Sequence, residues 1–223
     1  MSRHFDPAEI PTTPDLRFES TLWAEGFAYI AGLDEAGRGA WAGPVAAGAV
    51  ILPPDPEIQR QLSQVRDSKQ MRPAERTYWA EIIKDQALAW GVGFATHLEI
   101  DAWGIVPATR QAMKRALEAL APVPEHLLID ALRLPEIALP QTALIKGDAR
   151  SLSIAAASVL AKTARDAVMV QLDEQYPAYG FARHKGYGTA AHQSALERCG
   201  PCPIHRLSFA PVKERAHISC VHA

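Results

Sequence analysis

The chain has 223 residues, 48% of them hydrophobic and 22% charged, enough apolar material for one ordinary to large domain with a real core. No run approaches the length of a transmembrane helix, and a formal net charge of −2 excludes binding to polyanions through overall basicity. Three cysteines are too few for a disulfide framework and fit a reducing cytoplasm, where the protein is expected to reside.

Residues 1 to about 24 are polar and proline-bearing, with no apolar h-region, and are expected to form a surface tail. Residues 25–223 are expected to form the folded domain. Tyr29 to Asp34 reads as a strand running into a glycine-rich turn. Val45 to Leu52 reads as a second strand, stopped by Pro53-Pro54. "RDSKQMRP" is a loop, and Pro73 suits the first turn of a helix running to about Ala87. "AWGVGFATH" is a third strand. From Glu99 the apolar period is helical through Ile100, Trp103, Ile105, Met113, Leu117 and Leu120, with an interruption near Gly104 and Pro107.

"HLLID" and "TALIKGD" are short apolar runs ending in Asp130 and Asp148. "SLSIAAASVLAKTARDAVMVQLDEQYP" predicts a long helix, with Ser151 or Ser153 as N-cap and Pro177 as stop. "FARHKGYGT" reads as a loop, and "AAHQSALERCG" as a shorter helix closed by Gly200. The order of elements predicts an α/β or α+β plan on a mixed sheet.

Three apolar runs thus end in acids: Asp34 with Glu35, Asp130, and Asp148. Singly, each suits a turn or a cap. If the runs are neighbouring strands, the carboxylates converge at one sheet edge, where like charges repel unless neutralised. Hard divalent cations neutralise them, and two such ions support phosphodiester hydrolysis. Asp34 and Glu35 are adjacent, so both reach one site only if the strand ends between them.

The Gly37-Arg38-Gly39 turn follows at once. Its glycines permit close backbone approach to a ligand, so N–H and C=O groups can read a sugar hydroxyl while Arg38 meets a phosphate. Lys69, Lys146, Arg150, Lys162 and Arg165, with Arg183, His184 and Lys185, cluster near these loops and suggest a phosphate-tracking surface. Tyr187, in a Gly-Tyr-Gly loop, is a candidate for stacking on a sugar or base.

Together "GLDEAGRG", "GPVAAGAVIL", "DSKQM", "LLID", "IKGDARSLSIAAASVLAKTARD", "YGFARHKGYGT" and "HRLSFAPV" resemble bacterial type 2 ribonuclease H, ribonuclease HII, from about Ala28 to about Glu214. The resemblance implies a ribonuclease-H-like mixed five-stranded sheet flanked by helices, with a helical C-terminal extension from about residue 176. It implies Asp34, Glu35, Asp130 and Asp148 as a four-carboxylate site for two Mg²⁺ or Mn²⁺ ions. It implies Gly37, Arg38 and Gly39 as readers of a ribonucleotide 2′-OH and its phosphate, and Tyr187 as the residue sensing an RNA-to-DNA junction. Lys69, Lys146, Ser153, Lys162, Arg165 and Lys185 join them as substrate-binding candidates. The implied reaction is hydrolysis of RNA in RNA–DNA hybrids, including incision 5′ of a single ribonucleotide in duplex DNA, leaving 3′-hydroxyl and 5′-phosphate ends. A monomer is expected, with no membrane partner and no evident clamp-binding peptide.

Two positions depart from the pattern. Ala131 stands where a glycine usually follows "LID", and Leu207 replaces a basic residue in "HRLSF". "CGPC" at Cys199 to Cys202 carries the letters of a thioredoxin-like redox motif, but a helix precedes it instead of starting there. Zinc on Cys199, Cys202 and His205, with Cys220 or His222, has tolerable spacing and is not expected, since Gly-Pro suits a turn anyway. A resolvase or transposase nuclease would also use clustered acids but needs no 2′-OH reader, and a non-catalytic binder would not keep all four.

Overall fold

Two runs, Ile30–Ala36 (β1) and Val45–Ile51 (β2), are buried on both faces and pair antiparallel. Strands covered on both sides must lie in the middle of a layered fold. The computed structural model describes residues 10–216 and places them so. Ala89–Ala95 (β3) pairs antiparallel with β2, while His126–Asp130 (β4) and Gln141–Leu144 (β5) add in parallel beyond β1. The sheet is mixed and five-stranded, in the order β3-β2-β1-β4-β5.

Parity along the strands assigns the faces. Ala31, Leu33, Ala47, Ala49, Leu127 and Ile129 pack with Ala108, Ala112, Met113 and Ala116 of Ile105–Glu118 (α5). On the other side lies Leu152–Gln175 (α6), with Glu57–Gln61 (α2) and Pro73–Gln86 (α3) sharing its core. Gly32 and Gly48 present no side chain toward α6, so its alanine run, Ala155 to Ala157, sits directly on the sheet. Ser151 caps α6, its Oγ accepting from Ile154 N–H at 3.3 Å, which selects it over Ser153. The helical period after Glu99 is broken by Gly104, which separates His97–Trp103 (α4) from α5; Pro107 sits inside the first turn of α5.

Residues 17–24 are not a tail. Arg17–Ala24 is a helix (α1) that buries Leu22 with Ile30, Leu128, Leu144 and Ile154. Its Glu19 is 1% exposed and accepts from Ser151 Oγ, Ser153 Oγ and Ser153 N–H at 2.6, 2.6 and 3.0 Å. The α1 period is short and its buried partner is polar, which hid it from hydropathy. Past α6, "FARHKGYGT" is not wholly loop: Phe181–His184 forms a short helix (α7), followed by Ala190–Cys199 (α8) and Ala210–Lys213 (α9). This C-terminal part has its own small core of Met169, Tyr179, Phe181, Ala195 and Ile204 with Ala42.

Candidate active site

Leu33 of β1 registers with Ile129 of β4, so the next residues, Asp34 and Asp130, lie side by side on parallel strands. Parity sends both to the α6 face, since Gly32 meets Ser153 and Leu128 packs with Ile154. Asp148 arrives on the short 3-10 turn Gly147–Ala149 that leads into α6. Gly147 N–H donates to Asp130 Oδ1 at 2.6 Å and ties that turn to the end of β4. Glu35 has the opposite parity, and β1 does not end between the two acids; it runs on to Ala36, paired only with β2. Pairing with β4 stops at Leu33, so the edge of β1 beyond it is open and both acids line one cleft.

That cleft measures about 620 Å³. Asp34, Glu35 and Asp130 line it, together with the Ala36–Gly39 turn, Lys69, Lys162, Asp166, Lys185 and Tyr187. Gly37 has φ 95, a left-handed value suited to glycine, and a side chain there would run into Arg165.

Electrostatics mark the same spot. Burial, then repulsion from Glu35, Asp130 and Asp148, pushes the Asp34 carboxyl well above the ordinary aspartate range. Burial raises Asp130 to about 6 against the pull of the Gly147 N–H, and raises Asp148 and Glu35 as well. Arg38 Nη1 lies 3.3 Å from Glu35 Oε1, and Lys69 Nζ lies 3.4 Å from Asp148 Oδ2.

The donor set fits hard divalent cations. It consists of carboxylate oxygens, and Glu35 Oε2 is buried without a hydrogen-bond partner. No three His, Cys, Asp or Glu side chains among the described residues are drawn tightly enough to form a ready metal cage. Mutual repulsion opposes that approach, and Arg38 and Lys69 occupy two of the acids instead.

Several expected contacts are placed elsewhere. Ser153 is 0% exposed and held by Glu19, so it does not face the cleft. Arg165 is also fully buried; its guanidinium donates to the carbonyls of Pro44, Lys185 and Ala42 at 2.8, 2.9 and 3.2 Å and so ties the segment after the glycine turn to the one before Tyr187. Lys146 is exposed with φ 53, caps the turn bearing Asp148, and is not part of the cleft wall. Asp148 is 6% exposed and sits behind Lys69. Cys199 ends α8 and Cys202 N–H donates to His205 Nδ1 at 2.9 Å, an arrangement of a turn; Cys220 and His222 lie outside the described residues. Leu207 is exposed.

Sequence reasoning missed Arg76 and Asp166. Arg76 donates to Ser68 and Met71 carbonyls and to Asp166 Oδ2 at 3.0 Å, while Lys162 Nζ meets Asp166 Oδ1 at 2.7 Å. The helical i,i+4 spacing of Lys162 and Asp166 was a usable signal; Arg76 had none. Arg206 is a second buried guanidinium, donating to the carbonyls of Gly43, Arg38 and Pro44.

A mixed five-stranded sheet between α5 and α6, with acids at the ends of its central parallel strands, defines a ribonuclease-H-like fold. The ribonuclease HII family model matches residues 31–212. Ribonuclease HII of Chloroflexus aurantiacus is 53% identical over 204 residues, covering 90% of this chain and 95% of that protein. The crystal structure of ribonuclease H2 from Pyrococcus horikoshii OT3 superposes with a TM-score of 0.70 at 25% identity, covering 84% of this chain and 97% of that one. Bst-RNase HIII in complex with Mn²⁺ shares the fold, with a TM-score of 0.62 at 22% identity over 89% of this chain and 74% of that one. The chain belongs to the ribonuclease HII family, endoribonucleases acting on RNA–DNA hybrids.

Proposed function

We propose that this cleft incises the RNA strand of RNA–DNA hybrids and cuts on the 5′ side of a single ribonucleotide within duplex DNA, leaving 3′-hydroxyl and 5′-phosphate ends. The observation that carries the reading is the pairing of Asp34 and Asp130 on one face of adjacent parallel strands, in a cleft bounded by the glycine-framed turn and Tyr187.

Asp34, Glu35, Asp130 and Asp148 would hold two Mg²⁺ or Mn²⁺ ions. When bound, such ions supply activation of water and charge stabilisation at the departing 3′ oxygen. The chain's own groups do the rest. The Gly37–Gly39 backbone reads the 2′-OH, which both donates and accepts. Arg38, Lys69, Lys162 and Lys185 offer charge to flanking phosphates, and the Tyr187 ring packs on the neighbouring sugar. Arg165 and Arg206 take up the carbonyls of Pro44, Gly43 and Arg38 and so hold the loop in place. Among the described residues no helix is long and apolar enough to cross a membrane. Action on nucleic acid in the cytoplasm, as a monomer, belongs to the same proposal.

The test compares three duplexes, one carrying a single ribonucleotide, one a uniform hybrid, and one all DNA, with and without Mg²⁺ or Mn²⁺. Metal-dependent cutting of the first two, lost in Asp34→Asn, is expected. Equal cutting of the all-DNA duplex, or wild-type cutting by Asp34→Asn, would refute it.

A further inference from the structure

The segment after α6 contains buried imidazoles that the reading above does not use. His184, His192 and His205 are 8, 0 and 1% exposed. His184 and His192 stack with ring centroids 4.5 Å apart, and Phe181 meets His192 edge-on.

Neighbouring groups fix the protons on two of these rings. A carbonyl can only accept, and that of Tyr187 lies 3.0 Å from His192 Nδ1, so His192 carries its proton there. Its Nε2 must then accept from His205 Nε2, 3.0 Å away. His205 Nδ1 is left to accept, and the Cys202 N–H at 2.9 Å supplies the donor, nearer than the Cys202 carbonyl at 3.2 Å. The result is a directed chain from Cys202 N–H through His205 and His192 to Tyr187 C=O.

Backbone bridges tie both ends of this chain to the segment that follows the glycine-framed turn. Tyr187 bridges to Ala40 and His205 to Ala42, both just past Gly39. Trp41 N–H donates to the Gly186 carbonyl, and Arg206 N–H to the Trp41 carbonyl, each at 2.8 Å. The glycine-framed turn and Tyr187 therefore form one unit. Tyr187 stands between Gly186 and Gly188, so adjacent side chains do not fix its peptide plane. Its carbonyl is set instead by His192 Nδ1 and by Thr189 N–H at 2.8 Å.

We propose that His192 and His205 are positioning residues that hold Tyr187 at a set distance from the Gly37–Gly39 backbone and thereby determine the preference for a lone ribonucleotide over a continuous hybrid. The inference rests on the reading of Tyr187 and the glycine turn as sugar readers. A hybrid offers a 2′-OH at every sugar, so a displaced Tyr187 still finds acceptable neighbours. A lone ribonucleotide offers one ribose beside one deoxyribose, and telling them apart requires two readers held one sugar apart.

The experiment measures kcat and KM on the single-ribonucleotide duplex and on the uniform hybrid, together with Tm, for three variants. His192→Leu removes the donor, His192→Asn retains one where Nδ1 sits, and Tyr187→Ala removes the ring. His192→Leu should lower the ratio of kcat/KM for the lone ribonucleotide over the hybrid about three- to tenfold, the worth of one hydrogen bond, and His192→Asn should restore most of it. An unchanged ratio in His192→Leu, equal losses on both substrates, or no recovery with Asn overturns the proposal. If His192→Leu does not fold, His205→Gln against His205→Leu makes the same comparison, since Gln keeps a donor toward His192. A ratio unchanged by Tyr187→Ala rejects the sugar-reader assignment itself. A ratio changed by Tyr187→Ala and untouched at His192 rejects the histidine role alone.

Discussion

Asp130 and Gly147 are joined by a 2.6 Å bond from the Gly147 N–H to Asp130 Oδ1. It fastens the end of β4 to the turn that presents Asp148, and so sets two of the four acids relative to each other. The bond lowers the cost of charging Asp130 without removing it, because burial still raises the carboxyl to about 6. A site of charged groups that the fold does not stabilise is strained for a purpose outside folding.

Asp130→Asn keeps an oxygen for Gly147 and deletes the charge. Above pH 6, with divalent metal chelated, the variant should therefore be more stable than the parent by roughly 1–3 kcal/mol, while cleavage is lost. Thermal melts of both proteins, with EDTA and then with Mg²⁺, check it. A variant less stable in EDTA would contradict the repulsion described here.

Ala131 follows directly with φ 51, a left-handed value that costs a residue bearing Cβ about 1 kcal/mol. Its N–H donates to the Leu144 carbonyl at 2.9 Å, so the conformation is enforced by β5. Ala131→Gly should leave folding intact and raise stability by up to about 1 kcal/mol, less whatever glycine gains in the unfolded chain. Chemical denaturation gives the answer directly; a drop beyond about 1 kcal/mol would mean that the methyl group packs usefully.

Glu19 anchors α1 on the start of α6 through three hydrogen bonds to Ser151 and Ser153. Glu19→Ala should cost roughly 2–4 kcal/mol, because it leaves buried hydroxyls and an N–H without partners. Tm of the variant is the measurement, and a chain as stable as the parent would show α1 to be dispensable.

Burial depresses His192 and His205 to about 4, from an ordinary value of 6.5. His184 adds repulsion at His192, and His192, then His184 and His97, add it at His205. Both rings are neutral when folded and take up protons on unfolding. Their contribution to stability is present above pH 6.5 and is lost as the pH falls toward 4, at about 1.4 kcal/mol per pH unit for each group. His192→Asn removes one group, so its stability should fall less steeply than the parent's across that window. Parallel slopes would place the protons elsewhere.

The sequence by itself carried a great deal. Strand and helix periods, a serine cap at Ser151 or Ser153, the breaking glycine at Gly104 and an α/β or α+β plan on a mixed sheet are local or near-local consequences of side-chain size and polarity, so they could be read from letters; the count of five strands came with the resemblance to ribonuclease HII. The acids announced themselves jointly: one aspartate at the end of an apolar run suits a turn or a cap, but three such runs ending in acids are harder to ascribe to folding. The tertiary structure alone decided the rest. Register placed Asp34 beside Asp130, the early end of β4 opened the edge of β1 to Glu35, and burial turned Arg165 and Ser153 from surface candidates into supports. It also turned α1 from a tail into part of the core and linked Cys202 to Tyr187 through two imidazoles. These depend on contacts between residues far apart in the chain, and no local pattern encodes which side of a buried guanidinium or imidazole its partner will approach.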